Sequence, residues 1–340
     1  MRALLLEEYK KLRLVDFPKP SPGKEEVLVR IKACGVCGSD IHGYDGSSGR
    51  RIPPIIMGHE ASGVVESVGE GVDRFSEGDR VVFDSTIWCG KCEYCLSKLR
   101  NLCVNRRVIG VSCKEYRQHG AFAEYLVVPE RIVYRLPSAV SFEQAALIEA
   151  VSVAWHAVSR VNSVLGKHVA VFGVGIIGLL VVQVLRLCGC SRILAIDIDD
   201  ARLLLAKKFG ATDCLNTKTD IKRFFGSLSN KFDISFDVVG KGDVTNLAIS
   251  AVKKGGSVVL IGNLQAESVF PLQHVVTNEI TIYGSCASSG EYPEIIDAFA
   301  TGKIDVDPLI SACAPLEEGP VWFERLYNRE PGLLKVILRP

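Results

Sequence analysis

Apolar and polar positions follow three patterns along the chain. From Met1 to about Phe83 the apolar residues come in short alternating runs, such as Val27 to Lys32 and Gly63 to Val68, which predict strands buried on one face. Gly69-Glu70-Gly71 and Glu77-Gly78-Asp79 punctuate these runs as turns, so the stretch predicts a compact β-rich domain of irregular barrel type. Between Ser141 and Leu165 the pattern becomes helical, with Ser141 as N-cap and Glu143 and Gln144 in the first turn. Val169 to Phe172 is then continuously apolar and β-branched, as in a strand buried on both faces, and it stops at Gly173. A long apolar segment suited to a buried helix follows, ending near Gly189, and Arg192 to Ile196 supplies a second buried strand with Asp197 at its carboxyl end.

The alternation continues. Asp200 to Gly210 predicts a helix, and Thr212–Leu215, Ile234–Val239, Ser257–Ile261 and Ile280–Tyr283 predict further strands separated by helical segments. Six strands alternating with helices point to an α/β doubly wound parallel sheet in the order 3-2-1-4-5-6. Beyond about Ser288 come a helix around Glu291 to Thr301 and a strand-like Leu334 to Leu338.

The turn after Phe172 carries a G-x-G-x-x-G spacing at Gly173, Gly175 and Gly178. The first glycine permits the turn, the second lets backbone approach a pyrophosphate, and the third lets the helix pack closely on its strand. The helix N-terminus then offers free N–H groups to phosphate. Asp197 stands 19 residues past Gly178, where a carboxylate accepts both ribose hydroxyls of NAD and repels the extra phosphate of NADP. A membrane span is excluded, because Val169 to Leu185 reaches about 25 Å against a hydrocarbon core of ~30 Å, and its glycines sit where a turn belongs.

A chain of 340 residues predicts two domains, and 48% hydrophobic with 23% charged residues describes an ordinary globular protein. A net charge of +1, with both signs mixed along the chain, gives no footprint for nucleic acid or an anionic membrane, so a small-molecule partner is expected. The apolar run Met1 to Leu6 meets Glu7 and Glu8 and is too short for a secretory signal, which makes the cytoplasm the expected location. Of twelve cysteines, four crowd into Cys89 to Cys103, the habit of a metal site rather than of a disulfide framework.

Those four, Cys89, Cys92, Cys95 and Cys103, can close a tetrahedron of thiolates round Zn²⁺ with no open position, which makes a structural site. A zinc ribbon reading nucleic acid would need a recognition helix or aromatic platform beside Lys91, Lys98, Arg100, Arg106 and Arg107, and neither is present in the pattern. Upstream stands Cys34-Gly-Val-Cys37-Gly-Ser39-Asp40-Ile-His42, followed by Gly58-His59-Glu60. Taken alone, the cysteine pair reads as redox-active, structural or accidental, and His59 as a core histidine satisfied by backbone groups. Together they offer thiolate, imidazole and carboxylate, a set suited to Zn²⁺ with a position open to substrate.

In this order the motifs resemble the medium-chain, zinc-dependent alcohol and polyol dehydrogenase family, particularly its sorbitol dehydrogenase branch. The resemblance runs from end to end and is carried by Cys37-Gly-Ser-Asp40-Ile-His42, Gly58-His59-Glu60-Ala-Ser-Gly63, the four-cysteine lobe, Gly120-Ala-Phe-Ala-Glu124-Tyr125, Ala146-Leu-Ile-Glu149 and the glycine pattern. It implies a Rossmann cofactor domain, 149–287, inserted in a GroES-like catalytic domain, 1–148 and 288–340, with the zinc lobe at about 86–106. It also implies that Cys37 and His59 ligate a catalytic zinc, that Glu60 binds or approaches it, and that Glu149 is the third protein ligand or orients the bound water. Cys34 is then no ligand. Ser39 and His42 match the family's proton relay, Ile177 and Arg202 join the cofactor-binding set, with Arg202 against the adenine end, and Ile261, Gly262 and Asn263 fall on the nicotinamide loop. Where the branch usually has proline, Ala150 follows Glu149.

The expected reaction is reversible oxidation of a secondary alcohol of a polyol, sugar or sugar acid by NAD, with two zinc ions per chain in a homodimer or homotetramer. L-threonine or vicinal-diol oxidation is the alternative substrate reading. A protein that binds NAD without turning anything over is the alternative of another class. The sorbitol branch places an arginine and a tyrosine where this chain has Ser285 to Gly290, so a polyol contact is missing, and Arg117 and His119 are candidates to replace it.

Overall fold

The computed structural model describes residues 1–218 and 231–340. Its contacts divide the chain into two units, Met1–Glu149 with Ser288–Pro340, and Ala150–Ala287.

The first unit is built on a seven-stranded sheet. Val133–Arg135, Arg80–Phe83, Glu60–Val68, Glu26–Gly35, Lys335–Arg339 and Ile310–Pro315 lie side by side in that order, and Tyr125–Pro129 also pairs with Glu26–Gly35. The alternation in Glu26–Gly35 sends Val27, Val29 and Ile31 into one core with Leu4, Phe83, Phe122 and Phe323. A smaller sheet of Lys11–Asp16, Arg2–Glu8 and Ile55–Ile56 lines the same core. The carboxyl-terminal strand belongs here by register, with Ile337 opposite Gly35 and Leu338 opposite Cys34.

The second unit holds six parallel strands, His168–Phe172, Arg192–Asp197, Asp213–Asn216, Phe232–Asp237, Val252–Leu260 and Thr281–Gly284. In space they run third, second, first, fourth, fifth, sixth. The helix Ile176–Leu187 links the first two and is buried from Gly178 to Leu185, which is why its sequence is apolar all round. Gly189, at φ 78°, ends it in the left-handed conformation.

The helical stretch after Ser141 is shorter than its pattern predicts. It forms Phe142–Ala146, breaks at Leu147, resumes over Ile148–Ser159 and stops short of Leu165. At the far end the Ser163 hydroxyl accepts the Leu165 N–H, a local turn that competes with another helical turn. Ser141 caps the start, accepting the Gln144 N–H while the Gln144 side chain accepts the Ser141 N–H. Among the described residues no helix is long and apolar enough to cross a membrane.

Candidate metal centres and dinucleotide site

Two donor clusters lie in the first unit. The Cys89, Cys92, Cys95 and Cys103 sulfurs all fall within 4.8 Å of one another. Cys89 and Cys95 are 3.9 Å apart and Cys92 and Cys95 3.5 Å apart. A tetrahedron with Zn–S bonds of ~2.3 Å has sulfurs about 3.8 Å apart, so the cluster is of the size that this ion requires. Backbone N–H groups of Lys91 and Cys92 turn toward Cys89 and bring its thiol down to about 6, which favours the ligating thiolate. None of the twelve cysteines forms a disulfide.

The second cluster is Cys37, His59 and Glu60, with donor atoms again within 4.8 Å. Cys37 caps the short helix Gly38–Tyr44, and His59 and Glu60 lead into the central strand Glu60–Val68. Cys34, three residues before Cys37, is buried outside the cluster, and burial pushes its thiol well above the ordinary range.

Asp40 is the hub behind this cluster. It is fully buried; one oxygen accepts the Cys37 N–H at 3.1 Å, and the other faces His59 Nδ1 and Arg51 Nη2, each at 3.4 Å. Burial alone would raise its pKa, but the His59 and Arg51 charges outweigh it and hold the carboxyl at about 2. With Asp40 on Nδ1, His59 keeps Nε2 for a metal, the usual second contact of a ligating imidazole. Arg51 also donates to the Ser39 hydroxyl at 3.3 Å. His42 is exposed, and its Nδ1 stands 3.4 Å from the Ser47 hydroxyl.

Glu60 is shared between the cluster and Lys335, whose ammonium lies 2.5 Å from Oε2. Glu149 stands beside the cluster rather than in it. One of its oxygens accepts the Ser85 hydroxyl at 3.0 Å, and burial raises its pKa while the His59 charge opposes. Asp40, Arg51, Ser85 and Lys335 have no role in the sequence reading. Asp40 had a local signal, an acid three residues past a helix cap, whereas Lys335 had none.

Arg117 and His119 are engaged away from this cluster. Arg117 Nε donates to the Ser112 hydroxyl, while His119 Nδ1 accepts the Ile56 N–H and its ring stands edge-on to Phe17.

The second unit carries the glycine turn. Gly173 has φ 87°, and a Cβ there would meet Val239 at 2.5 Å; a Cβ on Gly178 would meet the Gly173 carbonyl at 2.0 Å, while Gly175 faces open space. Gly175 caps the helix Ile176–Leu187, whose first turn contains half-buried Ile177. Asp197 is buried, and its carboxylate accepts the N–H groups of Val174, Ile198 and Asp199 at 2.7, 2.7 and 3.1 Å. It thereby ties the end of the second strand to the glycine turn. A cavity of about 490 Å³ opens here, lined by Gly173, Asp197, Arg202, Thr217 and Lys241 among others. Ile261 and Gly262 donate to the Asp237 carbonyl at the end of the fourth strand, and Asn263 follows on an exposed loop.

Residues 23–138 match the alcohol dehydrogenase GroES-like domain, and residues 177–301 match the zinc-binding dehydrogenase domain. Sorbitol dehydrogenase of Bacillus subtilis is 32% identical, covering 100% of this chain and 97% of its own. L-idonate 5-dehydrogenase of Vitis vinifera is 34% identical over 89% of this chain and 84% of its own. Two solved structures align over the whole chain and 99% of their own. An alcohol dehydrogenase of Escherichia coli CFT073 complexed with NADH has a TM-score of 0.92 at 29% identity, and a zinc-binding dehydrogenase of Sinorhizobium meliloti bound to NADP has 0.90 at 29%.

Proposed function

Because the chain belongs to the zinc-dependent medium-chain polyol dehydrogenase family, we propose that it oxidises a secondary alcohol of a polyol, sugar or sugar acid to the ketone, passing the hydride to NAD. The observation that carries this reading is the convergence of Cys37, His59 and Glu60 with Asp40 behind the imidazole. Thiolate, imidazole and carboxylate form a donor set that suits zinc. When bound, zinc supplies Lewis acidity toward a hydroxyl, as it brings water from a pKa of 15.7 to about 7, and the nicotinamide supplies the hydride acceptor.

The chain's own residues then have distinct tasks. Cys37 and His59 would hold the metal, and Asp40 would fix the imidazole's orientation. Glu60, neutralised by Lys335, is a third ligand or a reserve one, and Glu149 is placed to ligate or to orient water. Ser39 relays the proton that the alcohol gives up, taking it on its oxygen as it passes its own on, and exposed His42 delivers it to solvent. The four-cysteine cage would hold a second zinc, with no coordination position left over for chemistry.

Asp197 supports NAD over NADP, since its carboxylate lines the cavity beside the glycine turn, and an acid at the end of the second strand repels a ribose phosphate. Gly173, Gly175, Ile177 and Gly178 take the pyrophosphate side, Arg202 the adenine side, and Ile261, Gly262 and Asn263 the nicotinamide. Free thiols support a reducing compartment such as the cytoplasm, and the family resemblance supports a homodimer or homotetramer.

The test is a panel of polyols, sugar acids, vicinal diols and amino alcohols offered to zinc-loaded protein with NAD or NADP, following formation of reduced cofactor. Turnover with a polyol-type substrate and NAD is expected. Cofactor binding with no turnover of any alcohol would overturn the proposal in favour of a non-catalytic NAD-binding protein.

A further inference from the structure

The segment Arg50–Ile52 runs extended against the hairpin Val111–Gln118. Ser112 N–H donates to the Arg50 carbonyl at 3.2 Å, and Ile52 N–H donates to the Ser112 carbonyl at 3.0 Å. Side chains alternate across such a strip. Arg51 turns inward and is buried on Asp40 and Ser39, while Arg50 and Ile52 line a cavity of about 720 Å³ in the first unit. That volume falls in the range of small-molecule sites.

The charge of its wall is unusual for this chain. Arg50, Arg106, Arg107 and Lys114 line it against a single carboxylate, Glu115, although the whole protein carries only +1. Arg50, Arg107 and Lys114 form no ion pair with a described carboxylate. Arg106 donates to the Asn101 carbonyl at 2.8 Å. Tyr116 accepts the Val108 N–H at 3.1 Å, so its hydroxyl proton points elsewhere, and Arg107 lies over its ring. Glu115 stays ionised, its pKa lowered by a hydrogen bond from the Cys113 thiol and by the Lys114 and Arg50 charges. Arg50, Arg107 and Lys114 round one concavity repel one another and focus a positive potential into it, a cost that a bound anion offsets. Guanidinium pairs with carboxylate or phosphate through two parallel hydrogen bonds, which suits it to that ligand.

Two backbone neighbours tie the cavity to the metal cluster. Arg51, between Arg50 and Ile52, reaches Asp40, and Asp40 faces His59. Gly110, beside the cavity residue Val111, packs so closely on Gly58 that a Cβ would meet its backbone at 2.9 Å, and His59 follows Gly58. We propose that this cavity binds the acid group, carboxylate or phosphate, of a substrate whose hydroxyl is the one oxidised, so that the substrate is a polyol acid or polyol phosphate rather than a neutral polyol. The inference rests on the dehydrogenase reading and sharpens it.

The test uses the full-length, zinc-loaded protein and the paired variant Arg50→Gln/Lys114→Gln, with Arg50→Lys as the conservative control and thermal unfolding to verify folding. Inorganic phosphate is titrated calorimetrically, and kcat/KM is measured for a sugar acid and for its neutral parent polyol. The expected result is phosphate binding that weakens at least tenfold in the paired variant and partly returns in Arg50→Lys. Alongside it, the acid-to-neutral ratio of kcat/KM falls at least tenfold. Phosphate binding that depends on Arg50 and Lys114 with an unmoved ratio overturns the substrate assignment and marks the cavity as a site for a separate anion. Phosphate that does not bind, or binds the variant equally, overturns the site. If no alcohol is oxidised at all, the dehydrogenase reading has failed, and the phosphate titration still decides the cavity.

Discussion

Lys335 Nζ lies 2.5 Å from Glu60 Oε2, across 275 residues of sequence, with the two side chains only 2% and 1% exposed. Burial pulls the ammonium's pKa down, but Glu60, with the nearby Cys37 and Glu149 charges, outweighs it and leaves it raised. Lys335 also donates to the Val36 carbonyl, so the strand Lys335–Arg339 is pinned beside Glu60 by charge as well as by sheet pairing.

Removing one partner strands the other charge in the interior. Lys335→Met is expected to cost about 3–5 kcal/mol in the zinc-free protein, and adding Glu60→Gln to recover much of that. Urea unfolding midpoints of the single and double variants decide it. Equal midpoints would show that the two side chains are not coupled.

The two cysteine sets should separate by metal content. Wild type is expected to hold about two zinc per chain, and Cys92→Ser and Cys37→Ser about one each. Cys92→Ser should open 86–106 to limited proteolysis. Cys37→Ser should leave that segment protected and lower kcat by roughly a thousandfold or more, with NAD affinity within about threefold. Loss of both metals on mutating Cys37 alone would contradict separate sites.

Asp197 both braces the glycine turn and faces the proposed ribose site. Asp197→Ala should raise KM for NAD by roughly 10- to 100-fold while changing NADP far less, because the lost carboxylate also lost its repulsion toward phosphate. Steady-state kinetics with both cofactors check this, and an unchanged ratio between them would remove Asp197 from cofactor selection.

Asp84 is fully buried beside Glu149, and burial raises its carboxyl to about 7, with Glu149 and Glu291 adding to the shift and the Thr86 N–H opposing it. In the unfolded chain the group titrates near 3.9. Between about pH 4 and pH 7 the native state therefore holds more protons than the unfolded one, so stability falls as pH rises through that window and levels off above it. Asp84→Asn retains the acceptor for Thr86 but cannot ionise. Its thermal midpoint relative to wild type should be higher at pH 8 than at pH 5, by an amount reflecting up to a few kcal/mol. A pH-independent difference would sink the assignment.

Local chemistry was legible in the chain. The strand, glycine turn, helix and acid from Val169 to Asp197 use periods and φ angles set by neighbouring residues, and the structure forms His168–Phe172, Ile176–Leu187 and Arg192–Asp197 in that order. The four-cysteine cage spans only Cys89 to Cys103, so spacing alone brings its sulfurs within reach. Where a local rule competed with the pattern, the reading overran, as past Ser159, where Ser163 takes a backbone N–H that a longer helix would need.

The sequence by itself thus determined the fold class and the sheet order, and it brought forward Cys37, His59 and the four cysteines as candidate donors. Only the tertiary structure decided what surrounds them: Asp40 held between His59 and Arg51, Glu60 neutralised by Lys335, and four cations gathered at one cavity. The reason is register. Ile337 opposite Gly35 sets which way Lys335 points, and a slip of one residue would turn it to the other face, yet no residue near Lys335 in sequence encodes that pairing.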